Sequence, residues 1–201
     1  WWLAGAVVSG ALFGVWEKRY LAKGRVAIID FALFAISSFR NGVAVSSFYF
    51  AALPATFIAQ TLWLQEGLGF SPVVAGMVTI PFALLSAFSS WRSGLLVNRY
   101  GRTIVVGGLV LVLMGFSGVI VAGYLVPDQW MAWATAGFMA IAGLGGGAVI
   151  APNQTLLFED IPIRVGGLAG SVAQVGQRIG TAVGLAAVLS ALFAVVSQAG
   201  D

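Results

Sequence analysis

Five polar side chains recur at helical spacing within the last apolar stretch of the chain: Ser171, Gln174, Gln177, Arg178 and Thr181. At 100° per residue Ser171, Gln174, Arg178 and Thr181 share one side of a helix, and Gln177 adjoins them in sequence. Hydroxyls, amides and a guanidinium can hold a solute by hydrogen bonds. They supply neither an activated nucleophile nor a proton acceptor that titrates near neutral pH. The sequence contains no His and no Cys, which removes the usual metal ligand, the usual general base and all thiol chemistry. What remains is non-covalent recognition, so no enzyme activity, cofactor or metal is expected.

Arg178 lies about ten residues into that stretch, some 15 Å from its start on a helix. A charge there costs about 2.5 to 3.5 kcal/mol on insertion scales, so it is expected to face protein or water rather than lipid. Two uses fit: hydrogen bonding to neighbouring carbonyls, or a place in a transport path. Gly176, Gly180 and Gly184 form a second face of the same helix, a small-residue surface for close packing. Gly143 and Gly147 make a further small-xxx-small pair in the run GLGGGAVIAPNQ. That run is not a nucleotide loop, because no strand precedes it and no acidic residue follows about 20 positions on.

A third constellation is GLLVNRYGRT, residues 94–103. Gly94 is expected to end a helix and Gly101 to permit a tight turn, with Arg99 and Arg102 holding fixed positive charge at a membrane surface.

The elements that position these groups follow from the scarcity of charge. Hydrophobic residues are 60% of the 201 and charged residues 8%, against about 45 to 50% and about 25% in soluble domains. Such a chain must place most of its surface in lipid or other protein. The net charge of +3 comes with no basic run interleaved with aromatics, so nucleic acid is not an expected partner. Uncharged stretches cover 1–16, 41–65, 67–91, 103–127, 129–158 and 179–200, the last joined to 165–177 through Arg178. A 25-residue stretch as a helix is about 37 Å long, enough to cross a hydrocarbon core of about 30 Å. The 1–16 stretch gives only about 24 Å and is expected to be the back part of a truncated span.

Lys18, Arg19, Lys23, Arg25, Arg40, Arg92, Arg99, Arg102 and Arg164 fall in alternate connections, while the intervening turns carry Glu66 and Asp128 and no base. Six alternating crossings, basic connections in the cytoplasm and both ends outside, satisfy that pattern. The 17–40 connection is expected to be a cytoplasmic linker with an interfacial helix, an ordinary linker being the alternative. Pro54, Pro72, Pro81 and Pro152 lie in or at the ends of spans, where they can bend helices and free carbonyls.

These motifs resemble the major facilitator superfamily, in its 14-helix drug:proton antiporter branch. GLLVNRYGRT is similar to the signature loop Gly-x-Leu-x-Asp-Arg-x-Gly-Arg-Arg through Gly94, Leu96, Arg99, Gly101 and Arg102, with Asn98 in place of the acid and Thr103 in place of the last base. Gln65, Gly69, Ser71, Pro72, Ala75, Gly76 and Pro81 match the branch pattern Gln-x-x-x-Gly-x-Ser-Pro-x-x-Ala-Gly-x-x-x-x-Pro. Asp30, Leu33, Phe34 and Phe39 resemble an element before the ninth helix, and the glycines from Gly143 to Gly184 fit helices twelve and thirteen. The family often carries an Arg where this chain has Gln177.

The resemblance implies an all-α integral membrane protein, a partial major facilitator bundle of about six transmembrane helices. It divides as a truncated helix over 1–16, a linker over 17–40 and a C-terminal bundle over 41–201 that lacks its last helix. It also implies proton-coupled export of small hydrophobic or cationic compounds across a bacterial inner membrane, with Gly94, Asn98, Arg99, Gly101 and Arg102 forming a conformational latch. The implied partners are the lipid bilayer, a small-molecule substrate, protons, and the N-terminal helices and final helix of the same transporter. A non-transporting membrane scaffold and a six-helix homodimeric transporter are the alternatives.

Overall fold

The computed structural model of the chain describes residues 31–199 together with Gly5, Val8, Ser9, Ala11, Leu12, Gly14, Val15, Trp16 and Arg19, these nine all helical. Half of the first expected span, 1–16, and most of the 17–40 connection lie outside the described residues. The described part of that connection includes a 3-10 turn, Phe31–Ala35, which buries Leu33 in a cluster with Phe39, Val43 and Leu157, and the first turn of the helix that follows, from Ser37.

Every element among the described residues is helical. Helix α1, Ser37–Leu62, runs into a π-turn at Trp63–Gly67. Gly69 then takes φ 69°, a left-handed conformation that costs glycine no Cβ clash. Ser71 caps the short helix α2, Pro72–Met77, its hydroxyl accepting from the Val74 N–H at 3.4 Å, with Pro72 in the first turn. The run LQEGLGFSP is thus a helix stop followed at once by a helix start. Helix α3 is Ile80–Leu125, α4 is Asp128–Phe158, and a 3-10 turn, Ile163–Val165, leads into α5, Gly166–Ala199.

Four helical stretches among the described residues are long and apolar enough to cross a bilayer: Ser37–Gly67, Pro72–Leu125, Asp128–Phe158 and Ile163–Val195. The second is 54 residues long, far more than one crossing requires. Phe57 shows how it is accommodated. Its ring lies 4.9 Å from Phe82 and 6.5 Å from Phe116, two residues that would stand about 51 Å apart on a straight helix. The chain therefore folds back between them, at Tyr100, whose φ −131° and ψ 16° leave the helical region. Residues 80–99 (α3a) and 101–125 (α3b) are two limbs of one hairpin. Of the six spans expected from charge spacing, the first is only partly described, and the other five appear among the described residues as four continuous helical stretches because the third and fourth join through this single-residue break.

Contacts establish the directions. α4 runs antiparallel to α1, with Gly42 against Leu157 and Gly146 against Tyr49, and antiparallel to α3b, with Gly101 against Leu156 and Gly115 against Ala142. α5 runs parallel to α1, with Gly176 and Gly180 on Ser47 and Gly184 on Ala51. One end of the bundle thus carries Arg99, Arg102 and Arg164 and the other Glu66 and Asp128. The buried face of α3b reads Gly101, Val105, Gly108, Val112, Gly115, Val119, Ala122, small residues and valines alternating at spacings of four and three. That seam lets α3b and α4 approach to backbone contact. Outward-facing side chains are apolar, among them Leu84, Leu95, Val106, Leu113 and Ile120. Exposed Tyr124, Trp130 and Trp133 ring the acidic end, and Trp91 and Tyr100 lie toward the basic end, as amphipathic rings do at the two membrane interfaces.

Candidate transport path

The five polar residues of α5 divide between two surfaces. Thr181 and Gln177 turn toward α1. Pro54 has no N–H, which leaves the carbonyl of Phe50, one helical turn back, without its usual partner. The Thr181 hydroxyl lies 3.1 Å from that Phe50 carbonyl and 3.0 Å from the carbonyl of Gln177, so α5 restores what the proline removed. Gln177 is buried and its Nε2 has no partner among the described residues. Ser171, Gln174 and Arg178 are exposed, the Ser171 hydroxyl donating to Gly167 of its own helix. Arg178, expected to face protein or water rather than lipid, is exposed among the described residues. It sits about 160° around the helix from Gly180, and α5 packs mainly on α1, through Gly176, Gly180 and Gly184.

Gly180 and Gly184 meet main chain, and Gly176 meets side chains. A Cβ at Gly180 would strike the Ser47 carbonyl and one at Gly184 the Ala51 carbonyl, while one at Gly176 would come within 2.8 Å of Ser47 Oγ. Gly143 and Gly147 serve the other side of α4, where α3a crosses: a Cβ at the first would strike the Phe82 carbonyl and at the second the Ser86 carbonyl. Serines complete that crossing. Ser89 Oγ donates to the Leu144 carbonyl at 2.6 Å, and Ser90 and Ser93 each reach the Gly147 carbonyl at 3.4 Å. The stripe Ser86, Ser90, Ser93 was a readable signal for this interface.

The loop motif departs from expectation in two places. Gly94 does not end a helix: α3 continues through it, and a Cβ there would meet nothing within 4 Å. Gly101 does not take a left-handed turn, since Gly69 is the only positive-φ residue among those described. Gly101 is instead buried against Leu156, 3.0 Å from where its Cβ would stand, so its small size serves packing. Asn98, Arg99 and Arg102 are exposed, and the Arg99 guanidinium stacks 5.1 Å from the Tyr100 ring.

Two further features were not anticipated. Asn153 is buried beside Pro152, and its Nδ2 donates to the Gly42 carbonyl at 3.0 Å and to Ser46 Oγ at 2.8 Å, tying α4 to α1. Toward the acidic end, a cavity of about 480 Å³ opens between α1, α3b and α5, lined by Thr56, Gln60, Trp63, Phe116, Tyr124 and Val188 among others. None of its lining residues is charged. Gln60 is only 6% exposed, and neither its Oε1 nor its Nε2 has a partner among the described residues. Aromatic walls beside an unmet amide suit a mainly apolar guest with one polar group. No trio of His, Cys, Asp or Glu is grouped to hold a metal among the described residues.

Comparison with known proteins accords with a membrane bundle. Residues 2–185 match the family described as Major Facilitator Superfamily. The chain is 31% identical over 195 residues to a probable actinorhodin transporter of Streptomyces coelicolor, covering 95% of this chain and 33% of that protein. It is 27% identical over 188 residues to the methyl viologen resistance protein SmvA of Salmonella typhimurium, covering 92% of this chain and 37% of the relative. With the quinolone resistance protein NorB of Staphylococcus aureus it shares 27% identity over 198 residues, 98% of this chain and 41% of the relative. It therefore spans between a third and two fifths of the length of these relatives. No solved structure matches it. The helices, their apolar outer surface and the family match over 184 of the 201 residues agree: this chain belongs to the Major Facilitator Superfamily, as a multi-pass protein of the bacterial inner membrane.

Proposed function

We propose that the chain forms part of a proton-coupled secondary exporter of small hydrophobic or cationic compounds, contributing helices eight to thirteen of a fourteen-helix antiporter. The observation that carries this is the uncharged aromatic cavity around Gln60. Trp63, Phe116 and Tyr124 offer ring faces to an apolar or cationic body, and the Gln60 amide is left for a polar group of the cargo. The names of the relatives, a transporter and two resistance proteins, support the same direction.

Among the described residues Glu66, Asp128, Glu159 and Asp160 lie at helix ends and none lies within a span. The proton-binding acid is accordingly assigned to the remainder of the transporter. Ser171, Gln174 and Arg178, on the open side of α5, are assigned to the surface that meets that remainder. The basic reversal from Gly94 through Asn98 and Arg99 to Gly101 and Arg102 is assigned the latch.

The test uses the full-length protein in everted membrane vesicles, with a fluorescent hydrophobic cation as cargo. Uptake should depend on the pH gradient and fall severalfold in Trp63→Ala. Uptake that survives collapse of the gradient, or that ignores the cavity substitution, would refute the respective half of the proposal.

A further inference from the structure

Helix α5 packs on α1 through Gly176, Gly180 and Gly184, and its opposite side is open among the described residues. Down that side run Ser171, Gln174, Arg178, Ala182 and Ala186, all exposed and spaced by three or four residues, hence one continuous line on a helix. The line holds no large apolar side chain. Outward sides elsewhere are built otherwise, from Leu84, Val106, Leu113 and Ile120 on α3, and on α5 itself the exposed Ile179 and Val183 flank the line. Small residues in register with polar ones mark a face that another helix approaches closely.

Arg178 fixes a charge on that face. It stands about 18 Å from the start of α5 and about 26 Å before Val195, level with Ser47 of α1, because Gly176 and Gly180 on either side of it both meet that serine. Snorkelling does not carry a guanidinium from that depth to the interface. The Arg178 side chain makes no ion pair or hydrogen bond among the described residues, and the acids of the described spans stand at their ends. Along its contact with α5, α1 offers Val43, Ser47 and Ala51, none of them titratable. Tyr49, the one titratable side chain between Arg40 and Glu66, turns to Gly146 of α4. The face thus presents a single fixed cation, deep in the membrane, with no countercharge from its own bundle.

We propose that Arg178 is one half of an ion pair that closes between this bundle and the remainder of the transporter, the other half being a membrane-embedded carboxylate that binds the coupling proton. The inference rests on the proton-coupled reading above and adds to it the group that sets the proton affinity of the acid. A carboxyl taken out of water holds its proton too firmly to release it near neutral pH, and a guanidinium alongside favours the charged form. The planar fork of Arg178 meets both carboxylate oxygens, the exposed Gln174 amide stands one turn away to donate to the same group, and Ala182 leaves room for the incoming helix. When the carboxylate takes up a proton it becomes neutral while Arg178 keeps its charge. The attraction that holds the two surfaces together is then lost, so proton uptake loosens the interface.

The test labels the full-length protein with dicyclohexylcarbodiimide, which reacts with protonated carboxyls in apolar surroundings, and maps the labelled peptide by mass spectrometry over a range of pH. One membrane-embedded carboxyl of the remainder should label, and less so as the pH rises. Arg178→Gln removes the countercharge, so that carboxyl keeps its proton to higher pH and the midpoint of labelling should rise by about one to three pH units; Arg178→Lys, which keeps the charge, should move it far less. A midpoint that Arg178→Gln leaves in place, or the absence of any labelled carboxyl within a span, would overturn the pair. Ala182→Cys, in a protein that retains Arg178, decides the matter where Arg178→Gln misfolds: copper phenanthroline should join it to a Cys placed one helical turn from the labelled carboxyl, and failure to link on either side of that carboxyl would overturn the contact. Neither measurement depends on transport. A parent protein whose cargo uptake ignores the pH gradient would defeat the antiporter reading and leave a responding midpoint as support for the ion pair, whereas gradient-driven uptake with an unresponsive midpoint would defeat the pair alone.

Discussion

The bond between Thr181 and the Phe50 carbonyl repairs a defect that Pro54 creates, and that dependence can be measured as a coupling. Thr181→Val keeps the shape of the side chain and removes its donor. In the parent protein it leaves the Phe50 carbonyl unpartnered where α5 crosses α1, 3.1 Å from the lost hydroxyl. An unmet buried polar group costs about 1 to 3 kcal/mol, while polar contacts between membrane helices average about 0.6 kcal/mol with a maximum near 1.7. Since Thr181 is only partly buried, a loss of about 1 kcal/mol is expected, or about fivefold in the folding equilibrium. Pro54→Ala restores an N–H one turn beyond Phe50, and in that background the same substitution should cost no more than a few tenths of a kcal/mol. The assay is a double-mutant cycle on reversible unfolding in mixed micelles. Equal costs of Thr181→Val with and without Pro54 would refute the argument, because the hydroxyl would then owe its value to something other than the freed carbonyl.

Three other outcomes follow from the packing. Gly147→Ala should destabilise by about 1 to 3 kcal/mol by forcing α3a and α4 apart, whereas Gly94→Ala, on an open helix face, should stabilise by up to about 1 kcal/mol; thermal melts of the two variants compare them directly. Gln60→Leu should raise the melting temperature, since it removes a buried amide with two unmet atoms, while reducing transport of cargoes that carry a hydrogen-bonding group; an unchanged cargo profile would remove Gln60 from the path. Cys placed at exposed Asn98 should react with an impermeant thiol reagent only after permeabilisation, and Cys at Asp128 from outside; the reverse pattern would invert the orientation.

Much of the architecture was legible in the one-dimensional pattern, because a bilayer imposes constraints that act along the chain. Uncharged runs of about 25 residues must be helices where backbone groups have no water to bond, and the alternation of bases between Arg40, Arg92 to Arg102 and Arg164 orders their directions. Small residues at Gly143, Gly147, Gly176, Gly180 and Gly184 marked close-packed faces by spacing alone. The heptad-like run from Gly101 to Ala122 and the serines from Ser86 to Ser93 carry the same kind of signal, since small and polar residues at spacings of three and four mark a helix face that meets another helix.

Which groups share a site was settled only by the assembled bundle. Periodicity puts Arg178 and Thr181 on one side of α5, but it cannot say where on that side the neighbouring helix ends; α1 takes Thr181 and leaves Arg178 exposed. The role of Gly101 depends on Leu156, 55 residues away, and the role of Thr181 on Pro54, 127 residues away. Gln60, Trp63, Phe116 and Tyr124 form a cavity only because α3 folds back at Tyr100; the basic connection over 94–103 marks that reversal in the sequence, but not which side chains it brings together. A helix face is written in the sequence, since it follows from bonds within a single segment; what covers that face depends on packing between segments far apart in the chain.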